Sequence, residues 1–222
     1  MNNIKPTGLK TELDKDIQAY FNILVTAKQC LQYAEYLYNP DSQEEAQEIN
    51  QNLFLSFARH LMLRTSIIEL DKLYKIDKSG LDHNVKPDNY KFNLLKFLHK
   101  FKANGHFSKF IIDKTILQKW EERILLNENA IKKINALEDK VYAHTDSIKP
   151  AMEAVGLNFA ELNTLICLAE DIIAKIAGDF LDREYDFATE TMGSYMNIVK
   201  DIVVYRNKKT ISLTNKLNSK KD

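Results

Sequence analysis

The chain has 222 residues, of which 45 % are apolar and 28 % charged, an ordinary composition for a soluble globular protein large enough to bury a core without covalent staples. Its 31 basic and 31 acidic side chains cancel, which excludes a bulk electrostatic attraction to nucleic acid and leaves only a local patch for that purpose. The two cysteines, Cys30 and Cys167, are far apart and sit in apolar helical patterns, so both are expected to be small buried side chains in a reduced, cytoplasmic compartment.

Only six glycines and four prolines punctuate the chain, so the elements are few and long. The first expected helix spans 11–38: Thr11 offers an N-cap hydroxyl, and Ile17, Tyr20, Leu24, Leu31 and Leu37 form one apolar stripe. Asn39-Pro40 ends it, since the residue before proline avoids helical geometry. A second expected helix spans 42–75, with Asp41 and Glu44 at capping-box spacing and a nearly all-round apolar run from Leu53 to Leu73. Arg59, His60 and Arg64 interrupt that run. Arg59 and Arg64 are expected to snorkel or to pair with Glu69 or Asp71; the sharper alternative is that they face a phosphate.

Residues 77–89 read as a polar loop. Its acidic residues are out of register for a calcium loop, and His83, His99 and His106 share no ligand spacing, so no metal site is expected. A shorter helix is expected over 90–103 with Asn104-Gly105 as its C-cap, then a long one over 112–143. A further helix starts at an Asn158 cap with Glu161 three residues on, and the last spans 189–205. The basic tail 206–222 reads as solvated, with a weak RNA contact as the alternative. The domain division that follows is an N-terminal tail (1–10), a helical domain (11–205) and the tail (206–222). Nothing in the sequence calls for a cofactor, and no run approaches the length and apolarity of a membrane span.

One stretch carries chemistry: Leu137-Glu138-Asp139-Lys140-Val141-Tyr142-Ala143-His144-Thr145-Asp146, at the end of the long helix. His144 titrates near neutrality and can move a proton. Lys140 lies one turn earlier on the same helical face, and Asp146 is close enough in sequence to orient the imidazole.

The run Asp139-Lys140-Val141-Tyr142-Ala143-His144-Thr145-Asp146, followed by a second long apolar helix, resembles the motif region of HEPN domains, most closely the abortive-infection AbiU-like branch. Ile67 to Tyr74 resembles that branch's central-helix ending, and the likeness covers about residues 10 to 185. It implies an all-α antiparallel bundle of five to six helices, commonly a homodimer. It also implies a place in bacterial phage defence, abortive infection or a toxin–antitoxin pair, with RNA, an antitoxin or another protein as partner. Many HEPN proteins are metal-independent endoribonucleases whose histidine handles a proton while an arginine, four to six residues upstream, steadies the phosphate. Here that position holds Leu137, Glu138 or Asp139, none of them basic. The resemblance therefore implies a binding module with a degenerate ribonuclease motif. The alternative is an endoribonuclease with His144 as acid/base, Asp139 in the polar motif position, Asp146 as orienter, and Lys140, Arg59 or Arg64 replacing the arginine.

Overall fold

A computed structural model describes residues 6–75, 92–143, 152–187 and 192–218. The described chain is all-helical, with no strand among those residues, in the order α1 (Pro6–Tyr38), α2 (Gln43–Gln51), α3 (Leu53–Tyr74), α4 (Leu94–His99), α5 (Lys114–Leu126), α6 (Glu128–Ala143), α7 (Phe159–Leu181) and α8 (Met192–Asn218).

Four long runs, α1, α3, α5–α6 and α7, make an up-and-down bundle whose directions follow from its cross-links. Tyr38 meets His60 at one end of the α1–α3 pair. At the other, Tyr20 Oη donates to the Asn93 carbonyl while Asn93 Nδ2 donates to the Lys75 carbonyl at the end of α3, so α1 and α3 are antiparallel. Lys28–Glu170 (2.8 Å) and Asn163–Glu35 (3.3 Å) set α1 against α7, again antiparallel. Arg123–Asp171 (2.9 Å) and Lys133–Glu161 (2.7 Å) do the same for α5–α6 and α7. Thus α3 and α7 run one way, α1 and α5–α6 the other. The apolar stripes meet in the middle: Leu13, Leu24, Leu63, Leu70, Ile131, Ile134, Leu165 and Ile172 are wholly buried. Tyr74 ties α3 to α7 by donating its buried hydroxyl to the Leu165 carbonyl at 2.7 Å.

Several element boundaries differ from the sequence expectation, each for a local reason. The first helix begins at Pro6, which tolerates a first-turn position because its missing N–H has no helical acceptor there. The expected 42–75 helix is split at Asn52, whose side chain accepts from the amides of Phe54 and Leu55 and so caps a new helix. Ser42, rather than Asp41, caps α2, accepting from the Glu45 amide at 3.2 Å. The expected 112–143 helix is split at Asn127, whose side chain instead donates back to the Arg123 carbonyl. The 90–103 helix is only Leu94–His99, ending well before Asn104-Gly105. Asn104 does adopt a left-handed φ of 68°, but in the turn that follows, where a β-carbon on Gly105 would run into the carbonyl oxygens of Lys100 and His99. The capping box at Asn158 and Glu161 forms as expected. Cys167 is exposed and Cys30 only half-buried, contrary to expectation; Cys167 follows Ile166, which places it about 100° off the buried stripe. The expected loop at 77–89 lies outside the described residues.

No helix among the described residues is long and apolar enough to cross a membrane. Outside the bundle, α2 and α8 pack together over Tyr36, Leu37, Leu55 and Ala58, with Ile49 and Val199 at the contact. The tail from Arg206 continues α8, helical to Asn218, with its side chains exposed as far as Leu213, as a solvated tail requires.

Candidate functional site at the α3–α6 end of the bundle

The motif helix is α6. Its Ile131, Ile134 and Leu137 are fully buried and hold it to the core. One polar joint fixes it against α3: Asn135 Nδ2 donates to Asp71 Oδ1 at 2.6 Å, and Lys75 sits 3.2 Å from Asp71 Oδ2. Asp71 is buried, so this joint is both desolvated and satisfied, which fixes the register of the two helices.

A basic residue lies further back on the same helix as Asp71. Arg64 lies seven residues before Asp71 on α3, on the same face to within about 20° and about 10 Å along the axis. Arg64 is half-buried and has no hydrogen-bond or ion-pair partner among the described residues. Its expected pairing with Glu69 or Asp71 is not made: Glu69 pairs with Lys72 at 2.6 Å, and Asp71 with Asn135 and Lys75.

Arg59 is differently placed. Its guanidinium donates to Asn50 Oδ1 at 2.9 Å and to Ser56 Oγ at 3.4 Å, and lies 5.3 Å from the centre of the Tyr38 ring. Those contacts tie α2, α3 and the end of α1 together.

Between the two arginines is a residue that sequence reasoning passed over. His60 Nδ1 is 2.7 Å from Tyr38 Oη. Burial, reinforced by the neighbouring Arg59 charge, lowers the His60 pKa. Burial likewise pushes Tyr38 up to about 12, opposed by Arg59 and assisted by Glu153. Both rings are therefore neutral near pH 7. His60 precedes Arg64 by four residues, so the two occupy adjacent turns of one stripe. That spacing was available in the sequence; the contact with Tyr38 was not.

The lowered His60 pKa has a consequence for stability. The folded protein takes up the proton less readily than the unfolded chain, so stability falls as pH drops below about 6.5 towards the lowered folded value. The melting temperature of the wild-type protein is expected to fall further than that of His60→Gln between about pH 7.5 and pH 5.5. Parallel decreases in the two proteins contradict this assignment.

His144 and Asp146 lie outside the described residues, as do the side chains of Asp139 and Lys140. The structure thus describes the helix that leads into the motif and the α3 stripe beside it. Among the described residues no group of three or more His, Cys, Asp or Glu side chains is arranged to hold a metal ion. What the described groups offer is a cation without a partner and a neutral imidazole, placed on one helical stripe. A guanidinium in that position suits a phosphate oxygen, because its planar fork donates two hydrogen bonds at once.

Comparison of the chain with protein-family models, with curated proteins and with solved structures returns no match.

Proposed function

We propose that this chain is a HEPN-like RNA-binding module of a bacterial defence or toxin–antitoxin type system, its ribonuclease motif degenerate at the arginine position. The observation that carries the reading is Arg64. The motif helix has acid where an arginine is wanted, and the neighbouring helix α3, held to it by the Asp71–Asn135 joint, carries a half-buried arginine without a partner among the described residues. In this reading Arg64 and Lys140 contact phosphate, and Arg59 supports the site through Asn50 and Tyr38. His144 and Asp146, which follow α6 in the sequence, are the motif's remaining polar residues in this reading. Binding of RNA by the wild-type protein, Arg64→Gln and Arg183→Gln tests it. Arg183 pairs with Asp14 at the opposite end of the bundle and serves as the control.

A second reading keeps catalysis. His60 supplies a neutral, half-buried imidazole one turn from Arg64, so this end of the bundle already holds one group able to accept a proton beside a cation. An endoribonuclease with His144 as acid/base then needs no metal: the ribose 2′-hydroxyl attacks the adjacent phosphate, and the leaving 5′-oxygen is protonated. RNA cleavage that persists in a metal chelator and is lost in His144→Ala is the expected result of this second reading. Cleavage that survives the substitution removes His144 from the mechanism.

A further inference from the structure

The described helices are not held equally. α7 buries ten side chains between Leu162 and Leu181. In α8, across the described side chains 197–213, Val199 is the one that is buried, and every side chain from Val204 onward is exposed. Two ion pairs add to that apolar contact. Lys200 lies 3.4 Å from Asp41, and both side chains are about half exposed, so water and salt screen the pair. Arg206 lies 2.7 Å from Glu48, and there the two partners differ: the Arg206 side chain is 49 % exposed and that of Glu48 only 3 %.

Glu48 sets the balance. Its Oε2 meets Arg206, while its Oε1 is buried without a hydrogen-bond partner among the described residues. Covering a carboxylate strips its water, and one half-exposed guanidinium offsets only part of that loss. Lifting α8 rehydrates Glu48 and both ion pairs, against the exposure of Val199 and the side chains it covers. A helix held on those terms opens more readily than the core. α2 does not leave with it. Tyr36 Oη donates to Glu45 at 2.8 Å and Arg59 donates to Asn50 at 2.9 Å, which ties α2 to α1 and α3. The segment 182–187 ahead of α8 is also fixed on α1. Arg183 pairs with Asp14, and the Tyr185 and Phe187 ring centres lie 4.6 and 5.3 Å from that of Phe21.

We infer that α8 is a cover that opens as a unit while the rest of the bundle stays folded. Lifted away, it keeps little helix of its own, because its Ile, Val and Thr residues are poor helix formers and most helical stability comes from packing. What it covers gives the opening a consequence. Val199 packs with Tyr36, Leu37, Ile49, Leu55 and Ala58. Phe54 and Leu61, 73 and 42 % exposed, lie four and three residues from Ala58 on α3, so they neighbour it on the helix surface. The exposed Leu53, Phe54, Phe57 and Leu61 and the covered cluster are thus two parts of one apolar surface. The position of α8 sets how much of that surface meets water. This device is independent of the RNA-binding reading.

Native-state hydrogen exchange of the full-length chain, read by mass spectrometry on fragments of α7 and α8, tests it. Amides of residues 197–206, the docked part of α8, are expected to exchange about a hundredfold faster than those of α7. Arg206→Gln leaves Glu48 covered without its cation, so it is expected to speed exchange in that part of α8 by about tenfold or more and to leave α7 unchanged. Val199→Asp puts a charge at the covered position and is expected to act the same way, with the main melting transition retained. Lys132→Gln, whose pairing with Glu128 lies on the surface of α6, is the control and should change neither helix. Exchange of α8 and α7 at one rate overturns the inference. So does a result in which Arg206→Gln and Val199→Asp speed both helices equally or leave both unchanged, since α8 then opens only with the whole bundle.

Discussion

Phe97→Ala is expected to destabilise the protein by about 3–5 kcal/mol, a large fraction of the whole stability of a domain this size. Phe97 is fully buried. Its ring centre lies 4.6 Å from that of Tyr20 and 5.3 Å from that of Phe101, with Phe107 at 6.3 Å. The helix that carries it, α4, has only six residues, too short to persist without the burial of Leu94, Phe97 and Leu98. Truncation at position 97 therefore opens a cavity and also loosens the α4 segment, which anchors to α1 through Lys100–Asp16 and His106–Glu12. Denaturant titration checks it. A loss below about 1 kcal/mol would mean that the aromatic cluster closes over the gap, contrary to a tightly packed core.

The second large effect is on binding. Arg64→Gln is expected to weaken RNA binding by about tenfold, the loss of one charge-assisted contact to phosphate. The substitution removes the charge but keeps a polar side chain at a half-buried position with no described partner, so the melting temperature should change little. Arg183→Gln, at the far end, should leave the affinity unchanged. The contrast with Arg59 is instructive. Both arginines interrupt the same apolar helix, but Arg59 is occupied by Asn50, Ser56 and Tyr38, whereas Arg64 has no partner among the described residues. Seven residues on from Arg64, the Asp71–Asn135 joint holds α3 against α6.

The all-helical architecture was legible in the sequence because 3.6-residue periodicity and scarce breakers leave few alternatives. Asn158 with Glu161 marked the start of α7 correctly, since a capping box is a local device. The breaks at Asn52 and Asn127 were not legible, because asparagine caps a helix or lies within one depending on whether the flanking chain turns, and tertiary packing decides that. The tail is exposed, as its basic composition suggested, but its helicity was not read, although no glycine or proline falls between Arg206 and Asn218 and nothing local stops the helix. At the site, the His60–Arg64 spacing was open to view, whereas the Tyr38 partner comes from another helix and the joint of α3 to α6 depends on Asp71 and Asn135, 64 residues apart. Hydrophobic pattern announces which face is buried, but not which polar pair fixes the register.

The central claim is that the α3–α6 end of the bundle binds RNA through Arg64. Its most direct test is the salt dependence of RNA affinity for the wild-type protein and Arg64→Gln, measured on one single-stranded RNA. If Arg64 neutralises a phosphate, the substitution lowers affinity and reduces the slope of log affinity against log salt by about 0.7, the value for one lost contact to a single strand. Superimposable lines for the two proteins, with equal affinity and equal slope, would contradict the claim.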